Sequence, residues 1–401
     1  MNSLTSTPPD VLRDRMVDHI VAARPRSARV EQALRTVPRH RFVPAAAHEE
    51  AYANQAVITK RAGDGAALSC ASVPTLVALM LDQLDVKPGD RILEIGTGTG
   101  YNAALLAHLT GPSGQVSTID IDPEVTAQAR DALDSTGHDR VHVITGDGAL
   151  GDAEHAQFDR IIVTVGAWDL PPSWWEQLVP GGRIVVPLRW RGQTRGIAFT
   201  YKDGRLRSDS VELCGFVPMI GQDGERTGRI DPGGQVALYW DADQPIDPAA
   251  LRGVLDQPRT VASAGPTVGS NEPFDGVWLR LTGVEPGTCR IAVDPAAITS
   301  GLCTPAIGSR SPALVEDGSL AYFTSHRLDD NGTRRRWELG AIGHGPSGAQ
   351  LADRLCEHIR AWDLDRTAQP IITAYPADTP DDQIPSTCAI HKPYAHLVVT
   401  Y

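Results

Sequence analysis

Residues 91–120 leave this chain the fewest choices. Arg91-Ile-Leu-Glu-Ile95 is a short apolar run, Gly96-Thr-Gly-Thr-Gly100 follows without a spacer, Tyr101–Leu109 has helical spacing, and Gln115-Val-Ser-Thr-Ile-Asp120 is strand-like again. Strand, helix and strand in so short a span predict a βαβ unit, and with it a parallel sheet covered by helices. The alternation continues with helices expected at 123–134 and 172–179 and strands at 141–145, 159–164 and 183–188. Together these predict a doubly wound α/β domain with its core at about 72–220.

Upstream, apolar residues at helical spacing (Val11, Met16, Ile20, Val30, Leu34), broken by Pro25 and Pro38, predict a helical cap over 11–46. A further helix is expected from Ser72 to Leu84, with Ser72 as N-cap and Pro74 in the first turn. Turn residues gather at Gly221-Gln-Asp-Gly-Glu-Arg-Thr-Gly228, which places a domain boundary at 228. Residues 229–401 read as a smaller α+β domain on a mainly antiparallel sheet. Its strands are expected at 235–240, 277–281, 289–293, 320–327, 334–342 and 396–401, and its helices at 247–256 and 348–363.

Charge narrows the partners. Basic residues number 37 against 49 acidic ones, with 23 against 28 through Gly228 and 14 against 21 beyond it, so neither half offers the positive field that a phosphate backbone requires. No apolar run approaches the ~20 residues of a membrane span, and no signal-peptide pattern opens the chain, so a cytoplasmic protein is expected. The six cysteines form no C-x-x-C pair, and the twelve histidines show no ligand spacing, so no metal is expected.

A glycine turn between strand and helix lets backbone approach a ligand and aims free helix N–H groups at it. Asp120 closes the second strand 20 residues after Gly100, where an acid can hold two ribose hydroxyls. Gly146-Asp-Gly148 supplies another acid after the third strand; Asp147 either meets an adenine amino group or begins a turn.

With Leu93-Glu-Ile-Gly-Thr-Gly-Thr-Gly-Tyr101, Gly146-Asp-Gly148 and Phe158-Asp-Arg-Ile-Ile-Val-Thr164, the chain resembles the protein L-isoaspartyl O-methyltransferases over about residues 11–220. Ala51-Tyr52-x-Asn54, Ser72-Val-Pro74 and Gln177-Leu-x-Pro-Gly-Gly182 fall in the family's order too. The resemblance implies a Rossmann-like domain that binds S-adenosyl-L-methionine and releases S-adenosyl-L-homocysteine. The implied cofactor residues are Glu94, Gly96, Thr97, Gly98, Gly100, Asp120, Ile121, Gly146, Asp147, Gly148 and Thr164. Asn54, Lys60, Arg61, Ser72, Val165 and Gly166 are the implied substrate residues.

The sequence departs from the family around its substrate segment. Asn54-x-Ala56 stands where Asp-x-Pro is usual, the loop Lys60–Ala71 is longer, and Cys70-Ala71 replaces Thr-Ile. The chain also continues for about 170 residues past the sheet. With Cys214-Gly-Phe-Val-Pro-Met219, Leu339-Gly-Ala-Ile-Gly-His-Gly345 and Ile372-Thr-Ala-Tyr-Pro376, this long form resembles the branch associated with lanthipeptides and other ribosomally made peptides. That resemblance implies methylation of an aspartate in a cyclised precursor, with 229–401 recognising the substrate. The alternative is repair of isoaspartyl damage.

An aspartate is ionised at neutral pH, since its ordinary pKa is ~3.9, so it needs no general base to attack a sulfonium methyl group. The ester can then close to a succinimide and hydrolyse to isoaspartate. Ser72 is the expected catalytic residue, holding the acceptor carboxylate, unless its hydroxyl serves as helix cap. Lys60 and Arg61 either touch peptide groups or are solvated loop charges. Trp168, Trp174 and Trp175 read either as a lid over the substrate or as plain core. Gly343–Gly348 reads as a strand-to-helix turn, and Arg334-Arg-Arg336 as a solvent-facing strand after the turn Asp329–Gly332 that could also take an acidic leader peptide.

Overall fold

The computed structural model describes residues 7–328, 335–385 and 388–401. Two compact units form: one runs through Leu188 and resumes at Thr194–Ile220, and the other comprises Arg189–Gln193 and the chain from Gly221 onward. No helix among the described residues is long and apolar enough to cross a membrane.

The first unit opens with α1 (Pro9–Ala23), α2 (Ala28–Thr36) and α3 (His48–Ala51), then β1 (Val57–Arg61) and β2 (Ala67–Ala71), then α4 (Pro74–Leu84). Its sheet is built from β3 (Arg91–Ile95), β4 (Gln115–Asp120), β5 (His142–Thr145), β6 (Phe158–Val163), β7 (Leu178–Trp190), β8 (Gln193–Lys202) and β9 (Arg205–Leu213). The connecting helices are α5 (Tyr101–Thr110), α6 (Pro123–Ser135) and α7 (Pro172–Glu176). The spatial order is β9-β8-β7-β6-β3-β4-β5, and β7, β6, β3, β4 and β5 run parallel. Strand order reverses at β3, whose neighbours are β4 and β6, and a crevice opens at the carboxyl end of such a strand.

Local chemistry fixes these elements. Asp122 caps α6 by accepting the N–H groups of Glu124 (3.0 Å) and Val125 (3.4 Å), with Pro123 pre-set in the first turn. Val125, Ala129 and Leu133 then recur every four residues on the buried face. In the cap, Ser27 starts α2 by accepting from Val30, and Met16, Ile20, Val30 and Leu34 are buried.

The second unit holds β10 (Glu225–Arg229), β11 (Val236–Asp241), β12 (Arg259–Gly269), α8 (Asp275–Thr282), β13 (Thr288–Val293), α9 (Pro295–Thr299), β14 (Ser311–Glu316), β15 (Ser319–Leu328), β16 (Arg336–His344) and α10 (Gly348–Asp363). Its sheet order is β10-β11-β13-β14-β15-β16-β12, antiparallel at every pairing. Helix α10 buries Leu351, Leu355, Ile359 and Trp362 against Phe323, Leu339 and Ala341. Each of those large side chains contributes roughly 1.5–3 kcal/mol of transfer free energy. β17 (Ile371–Pro376), β18 (Ile390–His391) and β19 (Ala395–Thr400) pair antiparallel among themselves.

Several expectations are corrected. The apolar run 277–281 is helix α8, not a strand, because Val277 and Leu281 bury on one helical face. The helix expected over 172–179 stops at Glu176, and β7 begins at Leu178. Residues 247–256 form two short 3₁₀ turns, Pro248–Leu251 and Val254–Asp256, separated by Gly253 in the left-handed region. The segment Lys60–Ala71 is an antiparallel hairpin with β1, not a loop. Asp329–Arg334 lie outside the described residues, whereas Arg336 bonds Thr267 on β12.

Candidate functional site

Each glycine of the β3–α5 turn sits in the left-handed region, with φ of +98° at Gly96, +51° at Gly98 and +81° at Gly100. A Cβ at Gly96 would come within 2.6 Å of Thr164 Oγ1, so only backbone fits between the turn and the end of β6. At Gly100 a Cβ would press on Ala129 and Leu133 of α6, which makes that glycine a helix-packing residue. Gly96, Thr97 and Gly98 line a cavity of about 590 Å³ together with Glu94, Asp120 and Thr164.

Glu94 is fully buried, and its carboxylate accepts from Asn102 Nδ2 and Thr118 Oγ1, both at 2.7 Å. Burial raises its pKa to about 7, outweighing the two hydrogen bonds that favour the charged form. Thr97, also buried, lies 2.9 Å from Thr118 Oγ1. Asp120 accepts the N–H of Gly98 (3.1 Å) and of Asp122 (3.2 Å), and burial raises its pKa too. Thr164 donates to the Gly96 carbonyl at 2.6 Å, tying β6 to the turn.

A smaller space of about 70 Å³ lies beyond Asp120, between Ile121, Asp147, Gly148, Val165 and Met219. Asp147 accepts from Ala149 N–H at 2.9 Å, so one carboxylate oxygen begins a turn while the residue also borders this space. A Cβ at Gly148 would meet Ile95 Cγ2 at 2.5 Å. Gly146 donates to the Asp120 carbonyl and lines neither space. A groove of bare backbone with acids along it and an apolar slot at one end fits a nucleoside-bearing cofactor.

The opposite wall is the β1–β2 hairpin and the start of α4. Ser69, Cys70 and Ser72 line the cavity, and the Ser72 hydroxyl bonds the Cys70 thiol, whose pKa burial pushes up. Ser72 is not the N-cap; α4 begins at Pro74 with Val73 ahead of it, and Asn54 Oδ1 takes the Thr75 N–H at 3.2 Å. Asn54 thus holds the helix rather than the cavity. Lys60 lies on β1 rather than in a loop and, though partly exposed, is paired: its ammonium sits 2.6 Å from Asp122 and 2.7 Å from Glu124. Arg61 is exposed and bonds Gly65 O across the hairpin turn. Val165 lines the cavity, whereas Gly166 exchanges backbone bonds with Val217 and Met219.

Three contributors escaped the sequence reading. Asn102 orients Glu94. Phe216, Val217 and Pro218 close one side of the cavity, in a segment already visible as a motif but without a role. Arg39, fully buried in the cap, donates to the carbonyls of Ala51 (2.8 Å), Ala71 (3.1 Å) and Ser72 (2.8 Å) and lies over the Tyr101 ring. The tryptophans are core: Trp168, Trp174 and Trp175 are buried, the latter two with their indole N–H groups on Gly148 and Leu170 carbonyls. Among the described residues no three metal-ligating side chains converge.

A second cavity, of about 800 Å³, shares Ile58, Ser69, Gly98 and Thr99 with the first. Phe42, Val43 and Pro44 form one of its sides, and Val125, Gln128 and Asp131 of α6 another.

The profile of the family protein-L-isoaspartate(D-aspartate) O-methyltransferase matches residues 13–224. Protein-L-isoaspartate O-methyltransferase of Methanopyrus kandleri is 41% identical over 215 residues, 53% of this chain and 92% of that protein. Protein-L-isoaspartate O-methyltransferase 2 of Archaeoglobus fulgidus is 38% identical over 222 residues, 55% of this chain and 99% of its own. A solved structure named protein-L-isoaspartate O-methyltransferase shares the fold at a TM-score of 0.51 and 19% identity, covering 90% of this chain and 96% of that one.

Proposed function

We propose a substrate from one premise: this chain belongs to the protein-L-isoaspartate(D-aspartate) O-methyltransferase family and is an S-adenosylmethionine-dependent protein carboxyl O-methyltransferase. The substrate is an aspartate side chain in a ribosomally made precursor peptide of the lanthipeptide kind, methylated in the cytoplasm. A succinimide and then isoaspartate follow from the ester. The observation that carries this reading is the rebuilt acceptor wall. Residues 54–71 depart from the family pattern, yet they border both the cofactor cavity and the adjoining 800 Å³ cavity.

S-adenosylmethionine supplies an electrophilic methyl group on a sulfonium. Asp120 would hold the ribose hydroxyls, and Ile121, Asp147 and Gly148 would enclose the adenine. Glu94, Thr97 and Thr164 keep the glycine turn in shape. Ser72 would hold the acceptor carboxylate by a hydrogen bond, beside the wall that Phe216–Pro218 gives the cavity. An ionised carboxylate needs no proton removed, so positioning supplies most of the acceleration.

A second reading, repair of isoaspartyl residues, is favoured by the names of the relatives. The solved structure that spans 90% of the chain is so named too, which means that a longer chain does not by itself select peptide maturation. Incubation with S-adenosylmethionine and, in parallel, an isoaspartyl peptide and the modified precursor encoded beside the gene separates the two. Gain of a methyl group and later loss of methanol on the precursor alone is the expected result; methylation of the isoaspartyl peptide alone makes the protein a repair enzyme.

A further inference from the structure

We infer that Lys60 is a positioning residue for methyl transfer: it fastens the acceptor wall of the cavity to the carboxylates that adjoin the cofactor's ribose acid. The inference rests on the carboxyl methyl-transfer reading but not on which peptide is the substrate.

Pairing in the hairpin runs Ile58 to Cys70 and then Lys60 to Ser69, which leaves Thr59 as an extra residue, and the register shifts again before Arg61. A bulge of this kind re-aims the side chain beside it. Lys60 accordingly reaches away from its own hairpin to the N-terminus of α6, where Asp122 Oδ2 and Glu124 Oε2 both accept from it. Asp122 is occupied on three fronts. Its other oxygen caps α6, and its backbone N–H donates to Asp120. One short chain of contacts therefore runs from Asp120 through Asp122 to Lys60.

On the far side of the hairpin, Ser69 stands opposite Lys60, accepts from Thr59 Oγ1 at 3.2 Å and lines both cavities. The hairpin lies against the glycine turn, since a Cβ at Gly98 would be 3.6 Å from the Cys70 carbonyl oxygen. Three residues after Ser69 comes Ser72. A shift of β1 away from α6 would thus move the groups that face the acceptor carboxylate while leaving the glycine turn in place. The ion pair is partly exposed, and such pairs add little to global stability, so its effect belongs to placement rather than to folding.

The test compares wild type, Lys60→Met and Lys60→Arg. Expected for Lys60→Met is an affinity for S-adenosylhomocysteine within about twofold of wild type and a kcat/KM for the peptide lowered about tenfold, chiefly through kcat, with Lys60→Arg close to wild type. In amide exchange, S-adenosylhomocysteine should slow residues 67–72 in wild type and Lys60→Arg but not in Lys60→Met, while slowing residues 96–100 in all three. Retained slowing of 67–72 in Lys60→Met, or an unchanged kcat/KM, overturns the inference. A loss of thermal stability and cofactor affinity together, without rescue by arginine, overturns it as well by showing a structural role only. If wild type methylates neither peptide, the functional reading falls and the exchange measurement still decides the role of Lys60.

Discussion

On one side of the 590 Å³ cavity the wall is largely main chain: the left-handed glycines Gly96 and Gly98, a strand end and an acid, Asp120, that accepts backbone N–H groups. On the other it is a hairpin held by side chains that come from elsewhere in the unit. Arg39 reaches in from the cap, and Lys60 reaches out to α6. The backbone wall is least tolerant at Gly96, where a Cβ would meet Thr164 Oγ1 at 2.6 Å. The hairpin wall is held at its ends by tethers, Arg39 on the carbonyls of Ala71 and Ser72 and Lys60 on Asp122 and Glu124, so its shape depends on side chains and not on a backbone turn.

The sharpest way to break that comparison is Gly96→Ala. The new Cβ would meet Thr164 Oγ1 at 2.6 Å on a residue with φ of +98°, so the turn must move. Loss of cofactor affinity by about a hundredfold or more is expected in calorimetry with S-adenosylhomocysteine, since strain and the displaced turn each cost of order 1–3 kcal/mol. An alanine tolerated without loss would mean that the main chain is not what specifies the cofactor side.

Arg39→Met attacks the other wall. It leaves the carbonyls of Ala51, Ala71 and Ser72 without their donor in a buried setting, and unsatisfied buried groups cost ~1–3 kcal/mol each before relaxation. A net destabilisation of about 3 kcal/mol in denaturant unfolding is expected, with peptide KM rising more than cofactor Kd. Equal losses of both affinities would erase the distinction between the walls.

Legibility in the sequence follows the same division. The glycine turn could be read because its requirement is local: strand, positive-φ positions and helix are contiguous, and Asp120 ends the next strand. The hairpin could not, since Gly63 and Gly65 look like loop and the bulge at Thr59 hides the two-residue alternation. No local pattern sets Arg39 apart, since an isolated arginine is usually a surface charge. Val277-Trp-Leu-Arg-Leu281 fits both helical and strand periods over five residues, and only packing chooses between them. Lys60 was singled out by sequence, but its partners lie 62 and 64 residues away, a distance that no local pattern spans.

Glu94 sharpens the account of the cofactor side through pH. Burial holds its folded-state pKa at about 7, above the ordinary glutamate value of 4.5 that applies in the unfolded chain. Between those values the folded protein retains a proton that the unfolded chain has released. Stability therefore falls as pH rises, by up to roughly 1.4 kcal/mol per pH unit for this group, and levels off above 7. Asp120, raised by burial as well, adds a slope of the same sign. The difference between wild type and Glu94→Gln isolates Glu94, because Asn102 can turn its amide to accept from the new one. His40, His108, His138 and His344, whose pKa values burial lowers, add a slope of the opposite sign to both proteins, so in urea unfolding of the cofactor-free protein from pH 4.5 to 8 the stability of wild type relative to Glu94→Gln should fall as pH rises; parallel curves would place the proton elsewhere.

The smallest effect expected is at Asn54, and it decides whether a departure from the family pattern belongs to the substrate or to the scaffold. Its Oδ1 accepts the Thr75 N–H, one of the groups that the first turn of α4 leaves without a helical partner. Asn54→Ala removes that acceptor and should cost about 1 kcal/mol of stability, whereas Asn54→Asp keeps the acceptor and adds a negative charge that the helix N-terminus favours, for a change near zero or slightly stabilising. If methyl transfer to the peptide is unchanged in both variants once the protein is folded, Asn54 is scaffold, and the substrate preference rests on Cys70, Ala71 and Ser72. A change in peptide KM with Asn54→Asp, at constant thermal midpoint, would instead extend the acceptor wall back to residue 54.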